Sequence, residues 1–285
     1  MRRLFAFIAL LLSALVLTLP ARQASATTPE GTVIVAYGQH PLQQLDFTPA
    51  SQLNAPLVVF LHGGGWAFGD KRMAARMGAH FVQQGYAFAS VNYRLVPDAN
   101  PRQQAEDVAA AIASLRNDAR AHGIDPNRIL LIGHSAGAHL AALVGTDPSY
   151  LAARRIPLSA ISGVVLLDGA GYDVPSQMQR GGPFLRRMYA RAFGEDSAFQ
   201  ASVSPTLQAA APNAGRFLIF HILSRPDDSG AQSQRLAEAL RRAGTTAEVV
   251  AVDNTHAEIF RQFGEPGHVA TQRTDAFARE VFASR

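Results

Sequence analysis

A serine lies between two glycines in the pattern Gly-His-Ser-Ala-Gly at residues 133–137. An apolar, β-branched run precedes this pattern and an Ala/Leu-rich run follows it, which predicts a strand, a sharp turn and a helix. Gly133 and Gly137 give the backbone room at such a turn, where side chains would collide. Ser135 is then held with its hydroxyl above the sheet and beside the positive end of a helix. The pattern therefore predicts a nucleophilic serine.

A second glycine cluster, His-Gly-Gly-Gly at residues 62–65, directly follows another apolar run. Consecutive glycines leave backbone N–H groups open to a ligand, and attack by a serine requires such donors for the oxyanion that forms. We expect the oxyanion hole to consist of the amides of Gly63 or Gly64, or both, together with that of Ala136. A phosphate-binding loop is the alternative, but Asp70 stands where the lysine of that loop belongs.

The serine also needs a base and an acid that orients the base. Among the nine histidines, His256 follows the last predicted strand, where the chain order serine, acid, histidine places the base. Asp168 ends an earlier strand, and Asp253 lies close to His256 in sequence, so neither is the expected acid. The loop after the penultimate strand contains Asp227 and Asp228, and these two remain as candidates.

The substrate pocket is expected beside these groups, with Trp66 next to the glycine loop and His134 inside the serine turn. The bulk of Trp66 favours short acyl groups. His134 and His139 are five residues apart and point to different helix faces, which disfavours a metal site. No metal and no cofactor are expected.

The elements that position these residues alternate between apolar runs and helical patterns, which predicts an α/β protein with a mostly parallel sheet. Residues 169–215 differ, since they combine prolines, a Gly-Gly-Pro breaker and scattered arginines. We interpret them as a small cap insertion beyond the strand ends, where ligand-contacting loops occur. An ordinary helix pair packed on the sheet is the alternative.

Residues 1–26 have the organisation of a secretory signal peptide. Arg2 and Arg3 form a basic start, residues 4–19 are apolar, and Ala-Ser-Ala at 24–26 is a small-residue cleavage pattern. Cleavage after Ala26 would leave residues 27–285 as one exported domain, periplasmic or secreted, with no stable membrane association. An uncleaved membrane anchor is the alternative, because the apolar run approaches the length that spans a bilayer.

The net charge depends on this segment. The 285 residues carry 26 basic and 22 acidic side chains, a formal net charge of +4. Residues 1–26 contain three arginines and no acid, so 23 basic and 22 acidic side chains remain, a net charge of +1. A nearly neutral domain gives no reason to expect nucleic acid as a partner. The sequence contains no cysteine, which excludes a cysteine nucleophile.

Four motifs together carry a family resemblance: His-Gly-Gly-Gly-Trp at 62–66, Asn-Tyr-Arg at 92–94, the serine motif at 133–137 and Thr-His at 255–256. They resemble the α/β-hydrolase esterases, most closely the hormone-sensitive-lipase-like and BD-FAE-type carboxylesterases, which include relatives of kynurenine formamidase. The resemblance implies an α/β-hydrolase fold and a metal-free Ser-His-Asp hydrolase acting on small-molecule carboxylic esters. An amidase or arylformamidase is the alternative among enzymes, and a non-catalytic ligand-binding relative is the alternative outside them.

One position departs from the pattern of that family. The family has its acid four residues after the histidine of the penultimate strand, His221, and Arg225 stands there in this sequence. A guanidinium cannot accept a hydrogen bond from histidine. The acid is therefore expected further along the loop, and Asp227 is preferred to Asp228 because it lies nearer the end of the strand.

Overall fold

The computed structural model describes residues 29–210, 212–225 and 227–283, so the predicted signal peptide lies outside the described residues. Within those ranges, eight strands form one sheet in the order β1-β2-β4-β3-β5-β6-β7-β8. The strands are β1 (Val33–Ala36), β2 (Gln44–Thr48), β3 (Ala55–Leu61), β4 (Ala87–Val91), β5 (Ile124–His134), β6 (Ile161–Leu167), β7 (Arg216–Ile222) and β8 (Thr246–Val252). β2 runs antiparallel to β1 and β4, and β3 to β8 are parallel. This arrangement confirms the predicted α/β class and the mostly parallel sheet.

Helices cover both faces of the sheet. They are α1 (Ala75–Gln83), α2 (Pro101–Asn117), α3 (Ala119–His122), α4 (Ala136–Thr146), α5 (Ser149–Ala152), α6 (Val174–Arg180), α7 (Pro183–Phe193), α8 (Ser197–Ser202), α9 (Pro205–Gln208), α10 (Ser229–Arg242), α11 (Glu258–Arg261) and α12 (Val269–Ala283). Val59 of β3 belongs to the apolar core that includes residues of α2, α4 and α10, and its neighbour Val58 to the core that includes residues of α1 and α12. Because alternate side chains enter different cores, the central strands read as continuous apolar runs. None of the helices in the described ranges is long and apolar enough to span a bilayer.

The parallel strands bring the candidate catalytic residues to one edge of the sheet. In the strand register, Leu61 of β3 and Leu166 of β6 both pair with Gly133 of β5, while Leu167 pairs with Phe220 of β7. The glycine loop, the serine turn and the segments that follow β6, β7 and β8 therefore leave the sheet at the same edge.

The segment at 169–215 contains α6 to α9 and rests on the loop that follows β3. A Cβ placed on Gly65 of that loop would lie 3.0 Å from the Met188 sulfur of α7. Trp66 contacts the rings of Tyr189 and Phe193 of α7 edge-on, with ring centroids 5.2 and 4.6 Å apart. The segment is therefore in contact with the loop expected to hold the oxyanion, and its interpretation as a cap remains a prediction.

Candidate active site

Ser135 occupies a strained turn between β5 and α4. Its backbone has φ 54° and ψ −118°, a conformation that residues with a side chain adopt rarely. A Cβ on Gly133 would lie 2.2 Å from the Gly137 carbonyl oxygen, and one on Gly137 would lie 2.2 Å from the Leu61 carbonyl oxygen. No side chain fits in either place, so both glycines are required where the strand reverses into the helix.

His256 lies in the loop after β8 and faces the serine. Its Nε2 is 3.0 Å from Ser135 Oγ, within hydrogen-bonding distance. The side chain of His256 is 41% exposed, which leaves the imidazole open to a substrate in the cleft. The structure thus brings together the serine and the histidine that the sequence predicts.

The acid that contacts His256 is Asp168, and the prediction that Asp227 lies there is wrong. Asp168 Oδ2 is 2.5 Å from His256 Nδ1, and Asp168 Oδ1 accepts a hydrogen bond from the backbone N–H of Ile222 at 3.1 Å. Asp168 is fully buried in the turn that follows β6. Burial disfavours its charged form, but the hydrogen bond from His256 and the positive charge of Arg225 outweigh this effect. The pKa of Asp168 therefore lies below its ordinary value.

Asp227 instead forms an ion pair with Arg225, whose Nε donates to Asp227 Oδ1 at 2.9 Å. Asp228 is paired with Arg235, whose Nη2 donates to Asp228 Oδ2 at 2.7 Å. Both candidate acids of the loop after β7 therefore have arginine partners. Because β6 and β7 are parallel neighbours, the residue after either strand can reach His256, and chain order alone does not decide between them.

The glycine loop lies against the serine. A Cβ on Gly63 would come within 2.9 Å of both Ser135 Cβ and His134 Nδ1. In the part of the chain that the structure describes, no residue accepts a hydrogen bond from the N–H of Gly63, Gly64 or Ala136. These amides are the ones expected to bind an oxyanion, and they are available to a ligand.

His62 and Tyr93 hold this loop in place. Their rings stack with centroids 4.5 Å apart, and the Tyr93 hydroxyl donates to the His62 carbonyl at 2.7 Å. The His62 Nδ1–H donates to the Gly63 carbonyl oxygen at 2.8 Å. His62 is 1% exposed and therefore holds the glycine loop from within the protein interior.

The two residues expected to border the pocket have further roles. His134 Nε2–H donates to the backbone carbonyl of His256 at 2.9 Å, and the two imidazole centroids are 4.7 Å apart. Burial, and then the nearby His256 ring, lower the pKa of His134 to about 3, so its imidazole is neutral near pH 7. The indole of Trp66 is only 1% exposed, and its Nε1–H donates to His139 Nδ1 at 3.2 Å.

A cavity of about 810 Å³ opens above the serine. Its polar lining residues include His256, Arg225 and Asp227. Its apolar lining includes residues after the glycine loop and residues of α7, namely Phe68, Met73, Pro183, Phe184, Leu185 and Met188. Three of these, Phe68, Met73 and Phe184, are 66%, 48% and 83% exposed. We refer to these three side chains as the apolar rim.

Comparisons with known proteins agree with this architecture. A solved structure of a thermophilic esterase, Est2 of Thermogutta terrifontis, superposes with a TM-score of 0.72 at 23% identity, covering 90% of this chain and 94% of that chain. The fold is accordingly that of the α/β-hydrolases.

Within that class, residues 45–153 match the BD-FAE family model. Over 253 residues, the chain is 29% identical to a probable isoprenylcysteine alpha-carbonyl methylesterase of Oryza sativa subsp. japonica, covering 80% of this chain and 57% of that protein. Over 144 residues, it is 33% identical to the kynurenine formamidase of Salmo salar, covering 49% and 46%. These matches confirm the resemblance to BD-FAE-type carboxylesterases, and the chain spans less than two thirds of the length of these curated relatives.

Sequence reasoning missed which carboxylate contacts His256. Arg225 was the available signal, because a guanidinium at the position of the family's acid implies that the carboxylate comes from a different position in this chain. The sequence did not show which position this is, and the structure places the carboxylate after β6, the strand that precedes β7 in the chain.

Proposed function

We propose that the chain is a serine hydrolase that cleaves small-molecule carboxylic esters. Ser135 is the nucleophile, His256 the general base, and Asp168 the acid that orients His256. The single observation that carries the proposal is the continuous line of contacts from Ser135 Oγ through both nitrogens of His256 to Asp168. This is the arrangement that activates a serine hydroxyl.

The geometry supports the following sequence of steps. Asp168 accepts the Nδ1–H of His256, which leaves Nε2 unprotonated and able to take the proton of Ser135 as Oγ attacks the ester carbonyl. The amides of Gly63, Gly64 and Ala136 then face the oxyanion. Collapse of the tetrahedral intermediate breaks the bond to the alcohol, which leaves with the proton from Nε2. Water, activated by the same nitrogen, hydrolyses the acyl-enzyme and returns Ser135 to its hydroxyl form.

The cavity supports an uncharged substrate with an apolar acyl group. His256 must deliver its proton to the leaving alcohol, so the leaving group lies on the side of His256, and the acyl group contacts the apolar lining residues. The short-acyl prediction rested on the brief insertion at 169–215, which has no long apolar run, and on Trp66 beside the glycine loop. Trp66 lines the cavity, but its indole is buried against α7 and His139, and the start of α7 adds apolar side chains to the lining. Acyl chains that reach the apolar rim therefore fit this cavity.

An arylformamidase activity is the second candidate, favoured by the match to the salmon formamidase. Both reactions use the same nucleophile and oxyanion donors, and they differ in the acyl group and the leaving atom. Rates on a matched pair of substrates, an aryl butyrate and an aryl formamide, separate the two.

The decisive test uses a fluorophosphonate probe together with Ser135→Ala. We expect the wild-type chain to be labelled at Ser135 and to hydrolyse aryl esters, and the variant to lose both properties while retaining its circular dichroism spectrum. Turnover should fall by at least about a thousandfold, as when a catalytic triad residue is removed. Absence of labelling in a folded wild-type protein would make the chain a non-catalytic ligand-binding relative.

A further inference from the structure

Arg225 joins the proposed acid to a second carboxylate. Its Nη1 donates to Asp168 Oδ2 at 2.7 Å and to the Asp168 backbone carbonyl at 3.3 Å. Its Nε and Nη2 donate to the two carboxylate oxygens of Asp227 in a bidentate pair. Only 17% of the Arg225 side chain is exposed, so the guanidinium is a fixed part of the wall of the site.

The Arg225 guanidinium also contacts His256, the proposed base, with Arg225 Nη1 3.0 Å from His256 Nδ1. Both nitrogens carry protons when Nε2 acts as the base, so they converge as two donors on the same acceptor, Asp168 Oδ2. The other carboxylate oxygen accepts the backbone N–H of Ile222. With three donors around it, the Asp168 carboxylate is fixed in the orientation that His256 requires.

The charged groups around His256 fit the proposed reaction. The titratable and charged groups that face His256 are Asp168, Arg225 and the neutral His134, with Asp227 behind Arg225. Two carboxylates and one guanidinium sum to one negative charge, which is neutralised when His256 accepts the serine proton. Without the guanidinium, two carboxylates would remain beside the imidazolium, and the cluster would keep one negative charge after the proton transfer.

We propose that Arg225 is a positioning residue that fixes Asp168 against His256, and that Asp227 anchors Arg225 in turn. The inference rests on the proposed function, since it concerns the same three reacting residues. It assigns Arg225 a role through Asp168 and His256 rather than a direct contact with the bond that breaks. It also gives Asp227 a role: it holds the guanidinium and does not contact the base.

The test compares Arg225→Met and Arg225→Lys with wild type on one aryl ester, across a range of pH. Arg225→Met should lower kcat by at least about tenfold, because the acid loses a donor and the base loses its fixed orientation. KM should change less than about twofold, because substrate binding does not use this contact. Arg225→Lys should restore part of kcat, since an ammonium keeps the charge but cannot form the bidentate contact with Asp227.

The pH profile provides the readout that a merely structural role would not change. Removing the cation should move the acid limb of kcat/KM to higher pH in Arg225→Met, and Arg225→Lys should return it toward the wild-type position. Arg235→Met is the matched control, because Arg235 binds Asp228 outside the cleft, and it should behave like wild type.

Two outcomes would overturn the inference. One is an Arg225→Met enzyme with wild-type kcat and an unmoved acid limb. The other is an equal loss in the Met and Lys variants with the pH profile unchanged, which would indicate a role in folding alone. Should the Met variant fail to fold, Arg225→Gln, which also removes the charge, takes its place, and an unmoved acid limb in that variant would overturn the inference. Failure of the proposed function looks different, because wild type itself would then neither hydrolyse the ester nor react with the fluorophosphonate.

Discussion

His256 Nδ1 lies 2.5 Å from Asp168 Oδ2, and the two residues are 88 positions apart in the chain. Asp168 follows β6, and its backbone φ of 47° falls in the left-handed region that favours glycine. This turn directs the buried carboxylate toward the loop that carries His256. His256 is therefore contacted by a carboxylate from the interior of the sheet, and Arg225 of the loop after β7 contacts both residues.

Asp168→Asn should lower kcat by about a thousandfold or more on an aryl ester, because asparagine does not fix the required tautomer of His256 or stabilise its imidazolium. Asp227→Asn should stay within about tenfold of wild type, because an amide oxygen still binds Arg225. Steady-state kinetics of both variants measure this, with Asp228→Asn as the control. A greater loss in Asp227→Asn than in Asp168→Asn would return the acid role to Asp227.

His134→Phe should lower kcat by about fivefold to tenfold with little change in KM. The ring that stacks on Phe260 is kept, but the hydrogen bond that holds the His256 backbone carbonyl is lost, at a cost of about 1 kcal/mol. The measurement is kcat and KM on one ester, with thermal unfolding as a check on folding. A rise in KM at constant kcat would instead make His134 a residue that binds substrate.

Phe184→Ser should lower kcat/KM for an octanoyl aryl ester by about fivefold while leaving the acetyl ester nearly unchanged. Only the longer chain reaches the apolar rim, and covering part of one aromatic ring contributes about 1 kcal/mol. Leu53→Ser is a matched control, because Leu53 is 86% exposed and does not line the cavity. Equal effects on both esters would show that the acyl chain does not lie along the rim.

Acid should destabilise the fold through His139. This buried side chain accepts the Trp66 indole N–H and donates to the Val203 carbonyl, and burial lowers its pKa to about 4. The unfolded chain binds the proton near its ordinary pKa of about 6.5, so stability is fully present above that pH and falls as the pH drops toward 4. At pH 4, the lowered pKa of His139 reduces the free energy of unfolding by on the order of 3 kcal/mol relative to its value at pH 7.

Chemical denaturation of wild type and His139→Gln at several pH values measures this effect. Glutamine can accept from Trp66 and donate to Val203, so the variant should unfold at similar denaturant concentrations at pH 7 and lose less stability toward pH 4. His40→Gln, at a partly exposed histidine, should keep the wild-type pH dependence. Parallel curves for wild type and His139→Gln would contradict the role of His139.

The sequence alone determined the features that depend on neighbouring residues. Gly133 had to be a glycine beside Ser135 because a side chain there would strike the Gly137 carbonyl oxygen within the same five-residue motif. The requirement at Gly137 is different, because the carbonyl oxygen that a side chain would strike there belongs to Leu61 of β3. The alternation of apolar runs and helical patterns determined the α/β class, because burial on both faces of a sheet requires uninterrupted apolar strands. The sequence also sufficed to select His256 among the histidines, because in this fold the histidine follows the serine and the acid in chain order and lies after the last strand.

The tertiary structure decided which carboxylate contacts His256. The loop after β7 is closer to His256 in the chain, but its two aspartates are paired with arginines of the same segment, Asp227 with Arg225 and Asp228 with Arg235. The alignment of β6 with β7 brings the end of an earlier strand to the same edge, and the left-handed turn at Asp168 directs its side chain inward. Contacts of this kind depend on strand register and on competition among charged partners, and both are settled only when the sheet is assembled.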